Sequence, residues 1–321
     1  MDTTGNLILP PSGSTYAPQV DALLTFLTYM SLFFIVVIFG AIIYFVIRYR
    51  RRGAEPEYHR APAHNTALEI VWTIIPLILV LFLFVWGFRV YMRMNVVPKD
   101  ALEIQVTAQK WFWSFTYPDG ATSVNELVVP VGRPIKLLLS SRDVIHSFYV
   151  PDFRIKRDTL PNRYGITWFE ATQVGEHDLF CAEYCGSKHS AMIGKVRVVS
   201  DREYREWLET SATAGEGLPP EEFGERLYTS RGCINCHSLD GTPGNGPSML
   251  GVFGSRVQLT DGTSVIADEN YVRESILEPQ AKIVAGYQPI MPTYQTILRD
   301  EEVNALIAYL KTLSEQTTTG E

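Results

Sequence analysis

The four cysteines of this chain fall in two short pairs, Cys181/Cys185 and Cys233/Cys236, and each pair has neighbours suited to metal chemistry. The first pair lies in CAEYCGSKHSAM, Cys181 to Met192. That string supplies two thiolates, the imidazole of His189 and the thioether of Met192 at spacings of four, four and three, with a further imidazole upstream at His146. Soft sulfur together with imidazole selects copper over magnesium or calcium, and one Cys with two His and a Met makes the ligand set of a mononuclear blue-copper site. The second Cys changes that count. Two thiolates one turn apart can each bridge two metals, so Cys181, Cys185, His189, Met192 and His146 offer enough donors for a pair of copper ions. A Cys181–Cys185 disulfide would suit an oxidising compartment, and a Cys₂His₂ set would suit zinc. Neither uses Met192, and a disulfide leaves both imidazoles without a role.

The second pair belongs to Cys233-Ile234-Asn235-Cys236-His237, the c-type haem attachment pattern. Its two thiols add to the haem vinyl groups, and the adjacent His becomes an axial iron ligand. A CxxC redox pair would need a thioredoxin-like βαβ setting, and no such pattern surrounds it. A Met on the opposite haem face raises the potential of an electron carrier. Met249 follows His237 too closely for the chain to pass around the haem, so Met291, in Ile290-Met291-Pro292-Thr293-Tyr294, is the candidate and Met249 reads as packing. No cysteine remains for a structural disulfide.

These sites need elements to carry them. With 321 residues the chain has room for two or three domains. Its 20% charged residues look soluble on average, yet Ala22 to Ile47 and Ile70 to Phe88 contain no charge at all. Each run is long enough for a membrane-spanning helix of roughly 20 residues, so residues 22–95 are expected as a transmembrane hairpin. Arg48, Arg50, Arg51, Arg52 and Arg60 crowd its loop, 48–69, whereas residues 1–47 hold no Lys or Arg, which places the loop in the cytoplasm and both termini outside it. Pro76 in the second span predicts a kink. A net charge of −7 without a basic stripe argues against nucleic acid as a partner.

From residue 96 to 200 the pattern turns to period two, with Leu102, Ile104 and Val106 alternating with polar residues. Strands are expected also at 126–131, 135–140, 164–171, 177–180 and 195–199, giving an all-β, cupredoxin-like sandwich with the ligand loop between its last two strands. Residues 201–219 read as a linker and 220–315 as an all-α class I cytochrome c domain. Its helices fall at 220–229, with Phe223 and Leu227 inward, at 270–277, and after a capping Asp300, where Val303, Leu306, Ile307 and Leu310 form one stripe. Residues 1–21 and 316–321 are terminal segments. The fold class is thus a multidomain membrane protein: helical hairpin, β-sandwich, cytochrome c.

The Cys181–Met192 string resembles the binuclear copper (CuA) loop of cytochrome c oxidase subunit II, matching also in Glu183, Gly186-Ser187 and Ser190. The resemblance implies that the Glu183 carbonyl is a further copper ligand and that its carboxylate joins a magnesium ion shared with subunit I. Glu69-Ile70-Val71-Trp72-Thr73-Ile74-Ile75-Pro76 is similar to the family's second span, where the matching Glu stands at the mouth of a proton path. Its plain reading is a carboxylate favoured by the helix N-terminal dipole. In Gln109-Lys110-Trp111-Phe112-Trp113-Ser114-Phe115 the family's first Trp is where electrons arrive, which by position is Trp111. Alternation would set Trp111 and Trp113 on one face. Asp158–Arg163 is similar to a loop that contacts subunit I, and Gly246-Pro247 to the segment whose Pro carbonyl accepts a hydrogen bond from the axial His.

The function so implied is that of the electron-transfer subunit of a proton-pumping terminal oxidase. Electrons would pass from covalent haem c, held by Cys233, Cys236, His237 and Met291, to the dicopper site and on to subunit I, where oxygen is reduced. Partners would be subunit I, subunit III, the bilayer, and an upstream donor such as a cytochrome c or a quinol-oxidising complex. The location would be a bacterial cell membrane, with copper and haem on the extracytoplasmic side. The rival readings are a subunit of a nitrogen-oxide reductase and a membrane-anchored copper-binding module.

Overall fold

A helix that is apolar on every side has no face to offer water, and the first two helices are of that kind. The structure is a computed structural model, and it describes residues 9–50, 64–212, 217–295 and 297–318. Helices α1 (Ala17–Tyr49) and α2 (Thr66–Asn95) expose their Ile, Leu, Val and Phe side chains almost throughout. They pair as an antiparallel hairpin: Phe26 packs on Phe82 and Trp86 at 5.9 and 5.5 Å, and Arg93 donates to Gln19 at 2.8 Å. The Asn65 side chain caps α2 by accepting from the Leu68 N–H, and α2 runs on through Pro76. Of the loop arginines, Arg51, Arg52 and Arg60 lie outside the described residues.

A β-sandwich forms the first part of the second unit, Pro98–Glu321. Its strands are β1 (Leu102–Gln109), β2 (Phe112–Thr116), β3 (Thr122–Val124), β4 (Glu126–Pro130), β5 (Pro134–Ser141), β6 (His146–Val150), β7 (Ile155–Thr159), β8 (Gly165–Glu170), β9 (Gly175–Cys181) and β10 (Ile193–Val199). They make two five-stranded sheets, ordered β3-β2-β1-β5-β8 and β4-β10-β9-β6-β7. Strict alternation along β5 buries Ile135, Leu137 and Leu139, which share the sandwich interior with Ile104, Val106, Phe148, Phe169, Leu179 and Val196. The register pairs β6 with β9 at Phe148↔Cys181, and this brings the start of β6 beside the end of β9.

Residues 201–212 depart from the expected linker by forming helix α3 (Asp201–Ala212). The local cause is a capping box: Glu203 N–H reaches Ser200 Oγ, while the Ser200 N–H donates to the Glu203 carboxylate at 2.9 Å. Tyr204 and Trp207 then lay one face of α3 on Tyr117, whose hydroxyl donates to the Val128 carbonyl and accepts from the Val128 N–H.

The helical part comprises α4 (Pro220–Ser230), a small hairpin of β11 (Arg256–Gln258) and β12 (Ser264–Ile266), α5 (Glu269–Leu277) and α6 (Asp300–Thr318). Phe223 and Leu227 of α4 and Val303, Leu306, Ile307 and Leu310 of α6 are buried, as the stripe requires. Asp300 is not a cap. It is the first helical residue and its carboxylate is exposed, because Glu302 reaches back to accept from the Arg299 N–H at 2.8 Å in its stead. Glu302 also holds Arg231 in a buried ion pair at 2.6 Å.

Two residues of the sandwich, Phe112 and Val124, belong to the apolar core of this helical domain. Phe112 stacks on Tyr294 at 5.8 Å with planes 8° apart, and Arg231 donates across to the Thr122 carbonyl at 3.2 Å. The α4–α6 crossing depends on Gly224: a Cβ there would stand 2.0 Å from the Ala305 carbonyl oxygen, which is backbone and cannot step aside. Gly224→Ala should therefore destabilise the helical domain by about 1–3 kcal/mol through overpacking, read as a lower Tm in the haem Soret absorbance of the full chain; an unchanged Tm would show that the crossing yields freely.

Candidate metal and cofactor sites

The ligand loop leaves β9 at Cys181 and enters β10 at Ile193, with a single 3₁₀ turn at His189–Ala191 inside it. Backbone bonds close it at both ends, from Cys181 N–H to the Met192 carbonyl and from Ala182 N–H to the Ser147 carbonyl. Within this frame the predicted donors converge. The two sulfurs of Cys181 and Cys185 are 3.8 Å apart, far beyond a disulfide bond, and both cysteines are free and buried. His146 Nδ1 lies 3.8 Å from Cys181 Sγ, and the Glu183 carbonyl 3.2 Å from it. His189 Nδ1 and Met192 Sδ stand 3.5 and 3.8 Å from Cys185 Sγ. Two thiols, two imidazole nitrogens, a thioether and a carbonyl brought together suit copper, and among the described residues no carboxylate joins the His146, Cys181 and Cys185 cluster.

Electrostatics sets the two thiols apart. Burial works against a thiolate at both positions. At Cys181 the hydrogen bond with His146 and nearby backbone outweigh burial and bring the pKa below its usual value. At Cys185 burial and the neighbouring negative Cys181 both push it up. Asp143, which the sequence reading missed, accepts from His146 Nε2 at 2.8 Å and so fixes which ring nitrogen faces the sulfurs. The signal was its place three residues before His146, on the turn leading into β6.

The haem-attachment residues line a cavity of about 620 Å³ together with both Met249 and Met291. Met249 also packs on the domain's apolar core. His237 Nδ1 lies 2.8 Å from the Pro247 carbonyl, which makes it the protonated nitrogen and leaves Nε2 free to bind a metal. Gly246 lies under the same ring, where a Cβ would come within 2.3 Å of Cε1. Burial lowers the His237 pKa, keeping the imidazole neutral as an iron ligand must be. The cavity, its thiols and the oriented imidazole fit a covalently held haem.

Trp111 is a turn residue of the β1–β2 hairpin, not a strand residue, so alternation does not put it beside Trp113. Trp113 is fully buried, edge-on to His146. The half-buried Trp111 ring packs on Gly186 of the ligand loop, within 3.1 Å of a Cβ placed there, and also lines the haem cavity. Glu69 lies in the first turn of α2 and accepts from the Asn65 N–H at 3.3 Å. The Asp158 carboxylate accepts from Ser147 and Lys156 at 2.7 and 2.8 Å. The Glu183 side chain is exposed, and among the described residues no second carboxylate clusters with it.

Three family models match in succession: the transmembrane domain of cytochrome c oxidase subunit II over residues 2–90, its periplasmic domain over 121–199, and cytochrome c over 222–314. The subunit 2 of cytochrome c oxidase from Alkalihalophilus pseudofirmus is 32% identical over 289 residues, covering 87% of this chain and 82% of the relative. That from Bacillus subtilis is 30% identical over 300 residues, covering 85% and 82%. The chain belongs to the cytochrome c oxidase subunit 2 family. A solved periplasmic domain of subunit II from Bradyrhizobium japonicum is 36% identical, covering 37% of this chain and 98% of that one, with a TM-score of 0.36.

As a subunit 2 with a cytochrome c domain, the chain is a membrane-anchored electron-transport component of a haem-copper oxidase, an oxidoreductase complex in which subunit I is its partner. The His146, Cys181 and Cys185 donors lie within 4.8 Å of one another, close enough to hold a metal ion together. Removing the partner that orients a ligand costs about 10–100-fold in metal affinity. Asp143→Asn should weaken copper binding on that scale, measured by competition with a chelator while the haem spectrum stays unchanged; undiminished affinity would deny Asp143 its orienting part.

Proposed function

We propose that this subunit passes electrons from its own haem c to a dicopper centre and on to subunit I, on the extracytoplasmic face of a bacterial cell membrane. The observation that carries the reading is the position of Trp111, between Gly186 of the ligand loop and the haem cavity. When bound, haem c and a copper pair would supply one-electron exchange between an upstream donor, such as a cytochrome c or a quinol-oxidising complex, and oxygen reduction in subunit I. Cys181, Cys185, His146, His189, Met192 and the Glu183 carbonyl would hold the coppers; Cys233 and Cys236 would hold the haem, with His237 and Met291 as its iron ligands.

The chain's own residues keep that centre rigid and dry. His146 and Met192 are buried almost completely, and the ligand loop is closed by backbone bonds, so little needs to move when charge arrives. A copper chaperone would instead present exposed, exchangeable thiols. The extracytoplasmic placement rests on the arginines of the hairpin loop, Arg48 and Arg50 among them. Subunit III completes the proposed assembly, Glu69 stands at the mouth of a proton path, and the Glu183 carboxylate takes part in a magnesium site only where subunit I supplies the other ligands.

Cys185→Ser should abolish the signal of an unpaired electron shared over two coppers while leaving the covalent haem c absorbance intact. An unaltered dicopper spectrum in that variant would remove the ligand assignment. Oxygen uptake by the purified complex, without turnover of nitrogen oxides, separates this reading from a nitrogen-oxide reductase.

A further inference from the structure

Lys188 occupies the ligand loop next to His189, and its side chain leaves the sandwich. Its ammonium donates to the Asn235 carbonyl at 2.5 Å, the backbone oxygen lying between the two haem-attachment cysteines. The bond joins residues 47 apart in sequence, one in each candidate cofactor segment. The Asn235 carbonyl sits on the 3₁₀ turn Cys233–Asn235, where it takes no part in the turn's own bonds: Cys236 and His237 N–H groups both go to the Cys233 carbonyl. The Lys188 charge also bears electrostatically on Cys236 and His237. Around this bond the two domains are already pinned by Phe112 on Tyr294 and by Arg231 on the Thr122 carbonyl. Those two contacts fix the domains to each other, but neither touches a ligand loop. Lys188 does.

We propose that Lys188 is a positioning residue that locks the copper-ligand loop to the haem-attachment turn. The inference rests on the electron path proposed above. One electron leaves ferrous haem, which becomes ferric, and the dicopper centre gains it, so the step needs no other reagent. Its rate falls steeply as the gap between the two centres loosens. An ammonium on a backbone carbonyl is a charge-assisted hydrogen bond, stronger than a neutral one. Because the acceptor is backbone, the identity of residue 235 is immaterial, whereas the donor at 188 is not.

The test uses the assembled oxidase with both cofactors loaded, comparing wild type with Lys188→Met, Lys188→Arg and Asn235→Ala. Photochemical injection of an electron into the haem gives the rate of its passage to copper, and hydrogen exchange with mass spectrometry reads protection of segments 186–190 and 233–237. Lys188→Met should slow the passage and speed exchange in both segments on the order of tenfold, the loss of one such bond. Lys188→Arg should restore both, and Asn235→Ala should match wild type. Wild-type rate and protection in Lys188→Met would overturn the proposal while leaving the electron path standing. Absence of haem-to-copper passage in the wild type would sink the path and this inference with it. If Lys188→Met loses its copper signal, Lys188→Gln is read in its place. Loss in that variant too would assign Lys188 to the loop's own folding and overturn its positioning part.

Discussion

Two buried sulfurs 3.8 Å apart cannot both carry a negative charge unless a cation lies between or beside them. That constraint governs the sandwich. Without metal, Cys181 takes the thiolate because His146 and nearby backbone favour it, and its charge in turn keeps Cys185 protonated. Loading the site must therefore expel protons as it binds metal. Among the described residues no carboxylate clusters with the donors of His146, Cys181 and Cys185, and the nearby Asp143 carboxylate is engaged by His146 Nε2. The pair is chemically incomplete as it stands, and copper is what the surrounding imidazoles, thioether and carbonyl are suited to complete it with.

The fold answers to that need by gathering donors from segments distant in sequence. His146 begins β6, Cys181 ends β9 and Met192 precedes β10, and these three strands are neighbours in one sheet. Antiparallel pairing of β6 with β9 is what brings His146 beside Cys181, and the buried Trp113 ring packs T-shaped against the imidazole. Asp143 then fixes the ring from its outer nitrogen. The haem side repeats the scheme with different parts: a backbone carbonyl at Pro247 orients His237, and a glycine at 246 makes space for the ring.

Much of this was legible in the sequence because metal chemistry and half-buried strands both write short-range patterns. The spacing of Cys181, Cys185, His189 and Met192 is local, and so is CxxCH. β5 could be read because one of its faces is buried and the other is not, as its alternating burial shows. β2 could not: Phe112, Trp113, Ser114 and Phe115 are all buried in succession, since the outward-facing Phe112 is covered by the helical domain. A strand buried on both faces loses its period of two. Trp111 escapes the alternation for a related reason, as the hairpin turns at Lys110 and Trp111, between β1 and β2. α3 was hidden by its polar composition, although Ser200 and Glu203 spelled its capping box. Asp143 and Lys188 are ordinary surface residue types whose roles arise only from what the fold sets against them.

The shared core changes what fusing a haem domain to this subunit accomplishes. A domain held only by a flexible tether meets its partner at a frequency set by effective concentration, and each encounter must find the right orientation again. Here Phe112 and Val124 of the sandwich are members of the helical domain's own apolar core, so separation would expose them to water along with the face of Tyr294. The buried Arg231–Glu302 pair adds to this, because Arg231 also reaches the Thr122 carbonyl, and pulling the domains apart would strip that bond from a charge with little access to solvent. Orientation is then a property of the folded state and need not be searched for. On the proposed path, Trp111 lies within this dock, against Gly186 of the copper loop and at the haem cavity.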